Sequence, residues 1–340
     1  MAIRTVEMDF EFMPYIAAAP QSPKDMHKQA CNNDNITIET WRDAWIHNMK
    51  RNHELYGPFH ERPVTKDYKK FKWQPAIVVG SGPSLKDNVE QLKIASDKGF
   101  PIISCLHNYH FFIDNGIKAE AYVSLDAGAI VIDEIANGGK STLDEYLNTT
   151  KESKLYSFVC SPPRLHELWQ GELLFFNSPI PDKIVNDATN ELETFSTWVS
   201  SGGNVLGAAT YIAKAFWGAN PICFVGADFS FSYTKKFYGW DDPRYNEVGH
   251  AIRAVDVWGN SRLTWQSYYN FKVWFDWLCQ QLMGTWINCT EGGILGSYPE
   301  GNISAIKQMY LADFIRMYTY YEDLQEQVEH PDKPCNKILF

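Results

Sequence analysis

The sequence predicts an α/β protein: a Rossmann-like, mostly parallel sheet with helices on both faces. Three observations carry this expectation. Short apolar runs such as Ala76–Val79 and Ile222–Val225 recur along the chain, segments with helical apolar spacing separate them, and glycine-serine turns stand where strand gives way to helix. Alternation of strand and helix favours right-handed crossovers into a parallel sheet, whose ligands bind beyond the carboxyl ends of the strands.

Residues 1–70 show no such alternation. They are rich in Pro, Asn, His and Lys, hold one amphipathic stretch around Ile38–Tyr56, and read as an irregular N-terminal extension. The domain proper is expected over 71–325, followed by a C-terminal tail over 326–340. Strand Ala76–Val79 runs into Gly80-Ser81-Gly82-Pro83-Ser84 and a helix with Leu85, Val89 and Leu92 on one face. Strand Pro101–Leu106, helix Asn108–Asn115 and strands Ala121–Leu125, Leu155–Cys160 and Leu173–Phe176 follow. Ser200-Ser201-Gly202-Gly203-Asn204 then opens a helix with Val205, Ala209, Ile212 and Phe216 in register, which feeds strand Ile222–Val225. Segment 227–265 is aromatic and turn-rich, with the length of a lid or substrate loop. A helix over Trp265–Met283, a strand Trp286–Cys289 and a last helix Ile303–Tyr321 complete the domain.

The chain has 340 residues, 45% of them hydrophobic, enough for one large core or two smaller ones. A formal net charge of -10 gives no general attraction to phosphate backbones or anionic lipid, so nucleic acid is a poor partner. No apolar run is long enough to span a bilayer, and Glu7, Asp9 and Glu11 stand where a signal peptide would be basic and then apolar, so a cytoplasmic protein is expected. Seven scattered cysteines without a C-x-x-C pair read as reduced buried thiols, neither a disulfide framework nor a metal site.

The turn Gly80–Ser84 places backbone N–H groups at a helix start, where an anion is favoured; Gly80 and Gly82 allow close approach, Pro83 suits the first turn, and Ser81 or Ser84 adds a hydroxyl. The alternative is a tight turn with a serine cap. Neither the P-loop nor the full dinucleotide pattern is present. Ser201, Gly202, Gly203 and Asn204 form the second such turn, again with an ordinary N-cap as the alternative. Asp126 and Asp228 end strands at the ligand-bearing edge, where carboxylates bind ribose hydroxyls or Mg²⁺, or cap a loop. His250 in the long loop and His107 after the second strand are candidate bases, with coincidence as the alternative among nine histidines. Tyr233, Tyr238, Trp240 and Tyr245 suit stacking on a sugar or pterin, or packing of the loop itself. The aromatic content leaves a partner or self-association open, plain burial being the other reading.

The runs Ala76–Leu85, Gly116–Asp126, Gly202–Phe229 and Asn288–Gly293 resemble the family of Maf flagellin glycosyltransferases and MptE-like 6-hydroxymethylpterin diphosphokinases, in order and over about residues 70–310. A more distant similarity is to bacterial sialyltransferases that use CMP-activated sugars. The resemblance implies that Ser81, Gly82 and Ser84 face a nucleotide, that Asn108 contacts its base or ribose, and that Ser201, Gly202 and Gly203 meet the phosphate. It also implies that Tyr233 and Tyr238, after Gly226-Ala227-Asp228-Phe229, hold the leaving phosphate and that His250 is the base, although the spacing of this loop departs from the sialyltransferase pattern. The expected activity is transfer of a sugar from a nucleotide-activated, CMP-linked donor to a hydroxyl acceptor. The alternatives are ATP-dependent diphosphate transfer to a hydroxymethylpterin, with Mg²⁺ held by Asp126 and Asp228, and a nucleotide-binding protein without catalysis.

Overall fold

A computed structural model describes residues 23–192, 197–231, 251–297 and 304–319. Four-residue apolar strands set the frame: β1 (Ala76–Val79), β2 (Ile102–Cys105), β3 (Ala121–Ser124) and β6 (Ile222–Val225), each buried at every position. Strands buried on both faces need cover on both sides. With β4 (Lys154–Phe158), β5 (Glu172–Phe176), β9 (Trp286–Asn288) and β10 (Ile306–Gln308) they form one eight-stranded sheet in the order β10-β9-β6-β1-β2-β3-β4-β5. Every neighbouring pair in it is parallel.

From β1 the chain steps outward through β5, then returns to the other side of β1 as β6. The direction of the crossovers reverses there, so right-handed connections lay helices on opposite faces and open a crevice between the carboxyl ends of β1 and β6. Up to β6 the helices are α1 (Pro23–Tyr56), α2 (Val89–Asp97), α3 (Tyr109–Asn115), α4 (Ile130–Glu134), α5 (Leu143–Thr149), α6 (Pro163–Leu168), α7 (Lys183–Glu191) and α8 (Val205–Tyr211).

The amphipathic stretch expected around Ile38–Tyr56 is the C-terminal part of a longer helix. This helix, α1, joins the main core through Ile38, Trp45 and Met49. Its core face also carries two buried asparagines one helical turn apart, Asn48 and Asn52. Asn48 Nδ2 donates to the carbonyls of Ala127 and Cys160, both at 3.0 Å. Asn52 Nδ2 donates to Val159 O at 2.9 Å and Ser161 O at 2.8 Å, while its Oδ1 meets His166 Nδ1 at 3.0 Å. Thus α1 crosses the carboxyl ends of β3 and β4 and takes up carbonyls that the ending sheet leaves without strand partners. Asn52→Ala strands up to three buried groups and is expected to destabilise the protein by about 3 kcal/mol, read from urea unfolding; an unchanged midpoint would contradict this role.

Two further differences stand out. Part of segment 227–265 is an antiparallel hairpin, β7 (Ala251–Val255) with β8 (Ser261–Trp265), leading into α9 (Gln266–Gln281). Residues expected to begin the last helix instead form β10, paired with β9, and the helix spans 311–319. The helical spacing of Ile303, Ile306 and Leu311 gives way here to sheet pairing: Ile306 is buried beside Trp286, and the Gln308 amide accepts from Asn288 Nδ2 and donates to Leu295 O, both at 3.0 Å.

Candidate functional site

At the β1/β6 crevice the turn after β1 folds against the turn after β6. Gly80 N–H donates to Val225 O and Gly82 N–H to Gly226 O, both at 2.8 Å. A Cβ on Gly80 would lie 2.5 Å from Gly226 O, and one on Gly82 would lie 1.9 Å from Asp228 Oδ2. The close approach these glycines permit is therefore to the chain itself. Pro83 is buried and opens a 3₁₀ turn, Pro83–Asn88. Ser84 Oγ donates to Asp228 Oδ2 at 2.7 Å, and the Ser84 backbone N–H also serves that carboxylate. Asp228 thus occupies the position at the start of the turn where an external anion would meet N–H groups. Burial pushes the Asp228 carboxyl up to about 7, against the pull of Ser84, of its own backbone N–H and of Arg262.

Asn108 is wholly buried and ties the ends of two strands together. Its Nδ2 donates to Gly80 O at 2.9 Å and to Ser104 Oγ at 3.1 Å, so it shapes the first turn from beneath. The second turn lies at the same edge: a Cβ on Gly80 would sit 3.4 Å from Leu206 in the first turn of α8. Asn204 is the N-cap of α8, its side chain accepting from Gly207 N–H at 2.8 Å. Ser201 Oγ lies 3.0 Å from Ser178 Oγ and 3.3 Å from Gly203 N. Gly202 sits against Trp274, whereas Gly203 is exposed.

A further group of titratable side chains lies one step along the edge, over β2 and β3. Asp126, two residues past β3, is open to solvent although protein crowds its carboxyl group. Desolvation there, reinforced by Glu134, pushes the carboxyl up to about 6, and His107 pulls the other way. Glu134 Oε2 lies 3.4 Å from His107 Nδ1. Toward β1, the Ser81 hydroxyl hydrogen-bonds the Cys105 thiol, which burial, and then Asp126, push up to about 12. Ser81, Cys105, Asp126, His107 and Glu134 therefore adjoin across the ends of β1, β2 and β3. An exposed carboxylate with such neighbours can accept hydrogen bonds from a ligand's hydroxyl pair and is ionised at neutral pH.

Residues 43–234, more than half of the chain, match the family described as 6-hydroxymethylpterin diphosphokinase MptE-like. The chain belongs to that MptE-like family. The solved MAf glycosyltransferase from Magnetospirillum magneticum AMB-1 superposes at a TM-score of 0.51 with 16% identity, over 78% of this chain. The alignment covers 42% of that chain, so the present protein spans less than half of its length, and the likeness is one of fold. No curated protein matches.

In this MptE-like chain the family match begins inside α1 and takes in Asn48 and Asn52, ahead of the region around 70–310 in which the resemblance was read. Of the expected site residues, Gly80, Ser81, Gly82, Pro83, Ser84, Asn108 and Asp228 come together at the β1/β6 edge, with Asp126 beside them and Ser201, Gly202, Gly203 and Asn204 on the second turn. Tyr233, Tyr238 and His250, with Trp240 and Tyr245, lie outside the described residues. Sequence reading missed Glu134, which sits in a short helix with no motif to mark it. Among the described residues no group of three or more His, Cys, Asp or Glu gathers as a metal cluster, and no helix is long and apolar enough to cross a membrane.

Proposed function

We propose that the protein is a transferase that binds a nucleotide-activated donor across the carboxyl ends of β1 to β3 and passes its activated group to a hydroxyl acceptor, the leading donor being a CMP-linked sugar. One observation carries the reading: the exposed carboxylate of Asp126 adjoins Cys105, which the glycine-turn Ser81 contacts, so that it would accept the donor's ribose hydroxyls. The phosphates would then lie toward Ser81. That a solved protein of this fold is named a glycosyltransferase supports sugar transfer. Asp228 is buried and held by Ser84, so its role is to close the first turn.

Asp126→Asn is expected to weaken CMP binding about 10- to 100-fold, the worth of hydrogen bonds to a charged acceptor. The sign of the pH dependence follows from the raised carboxyl. Asp126 is ionised above about 6, so wild-type affinity falls as the pH drops through that value. A phosphate titrates in the same range, and the dependence that Asp126→Asn abolishes is the part owed to the carboxylate. Calorimetric titration of CMP and 2′-deoxy-CMP separates the two: the wild type prefers the ribonucleotide and the variant loses that preference. Equal affinities in wild type and variant would refute the assignment.

The second reading, diphosphate transfer from ATP, is favoured by the family description. Mg²⁺ would then neutralise and bridge the donor's phosphate oxygens. Of the two strand-end carboxylates only Asp126 is open enough to meet a phosphate-bound ion, since Asp228 is buried against Ser84. Tight metal-independent CMP binding supports sugar transfer, Mg²⁺-dependent ATP binding supports the kinase, and binding of neither removes both.

A further inference from the structure

We propose that Trp41 of α1 is the stacking platform for the donor's nucleobase, an assignment that rests on the nucleotide site proposed above and extends it to the N-terminal helix. Asp126 is followed by Ala127 and Gly128, and α1 grips both. Asn48 donates to Ala127 O, and the indole of Trp41 lies so close to Gly128 that a Cβ there would stand 2.9 Å from Trp41 Cη2. Glycine at 128 is what allows the ring to reach the loop that carries Asp126.

The ring is held in place yet open. Its neighbour Arg42 pairs with Asp182 at 2.6 Å, Ile38 and Trp45 on the same helix are buried, and Trp41 itself keeps 36% of its surface exposed. Next to Gly128, Ala129 and Ile130 are also exposed, and a Cβ on Gly128 would lie 3.7 Å from Ile130. An exposed tryptophan on a fixed helix loses little entropy when a flat ring settles on it.

The spacing agrees with a nucleotide laid along the edge. Strands in a sheet lie about 4.8 Å apart, so the ends of β1 and β3 are about 10 Å apart. A phosphate toward Ser81 and a ribose on Asp126 leave the base beyond β3, where Trp41 stands. Stacking of this kind tolerates any base, because each presents a π face.

The test compares CMP, ATP and ribose 5-phosphate by calorimetry on the full chain. Trp41→Ala is expected to weaken CMP and ATP about 5- to 100-fold while leaving ribose 5-phosphate, which has no base, unchanged; that unchanged binding also shows that the variant is folded. Trp41→Phe should restore most of the loss. Trp258→Ala, which removes another exposed tryptophan at the tip of the β7–β8 hairpin, should have no effect. CMP and ATP affinities that ignore Trp41→Ala, or that fall equally for ribose 5-phosphate, overturn the assignment. If binding responds to Asp126→Asn but not to Trp41→Ala, the stacking role alone fails. If the wild type binds neither nucleotide, the nucleotide site fails and the stacking role with it.

Discussion

Gly82→Ala is expected to lower the unfolding free energy by about 3 kcal/mol or more, one of the largest effects of any single methyl group in this chain. The reason is space alone. Gly82 has φ -66° and ψ 158°, a conformation any residue adopts, so no backbone strain is involved. The added carbon would meet Asp228 Oδ2 at 1.9 Å and the Gly226 carbonyl oxygen at 2.6 Å. The second of these is backbone, fixed by the hydrogen bond from Gly82 itself, and cannot swing aside. Gly292→Ala is the control: it lies on the same edge with its nearest neighbour, Ser84 Cβ, at 4.0 Å, and should shift stability by less than about 0.5 kcal/mol. Urea unfolding of the two variants beside the wild type decides the matter, and equal midpoints would contradict the interlocked turns.

The second large effect is a pH dependence of stability centred on Asp228. Its carboxyl rises from an ordinary 3.8 to about 7 on folding, chiefly through burial. A raised carboxyl favours the protonated form in the folded state. Its stabilising contribution is therefore present below the unfolded value and is lost as the pH climbs through about 7. About three pH units correspond to roughly 4 kcal/mol between pH 4 and pH 8. Asp228→Asn removes this titration while keeping an oxygen for the Ser84 N–H. Subtracting the variant's pH profile from that of the wild type should leave a fall of that size. Parallel profiles would show that Asp228 titrates as an ordinary surface carboxylate.

These two expectations mark where sequence reading stops. The bounds of β1 and β6 follow directly from Ala76–Val79 and Ile222–Val225, because a short apolar run between turn residues has few other uses in an alternating chain. The glycine turns and the placement of Asp126 and Asp228 at one edge follow as well, since a parallel sheet brings all its strand ends to the same side. What faces those glycines does not follow. Gly80 and Gly82 have the same spacing whether they admit a phosphate or the Gly226 carbonyl and Asp228, and only the packing of β6 beside β1 distinguishes the two.

The sequence shows the helical stretch Ile38–Tyr56 but not what it packs against. Asn48 and Asn52 on its inner face are each satisfied by carbonyls more than seventy residues away, Ala127 and Cys160 for one, Val159 and Ser161 for the other. No local pattern reports such a partner. The same holds for β10, whose three residues are held as a strand by β9 against a helical spacing of their own. Trp41 and Glu134 enter the candidate site through these long-range placements, so they too are invisible to spacing and motif.

Crystals grown with CMP test the central claim most directly. The account predicts a nucleotide across the carboxyl ends of β1 to β3, with ribose hydroxyls on the Asp126 carboxylate, phosphate toward Ser81 and the base over Trp41. A nucleotide bound at the amino ends of the strands, or lying at the right edge with its ribose away from Asp126, would contradict it.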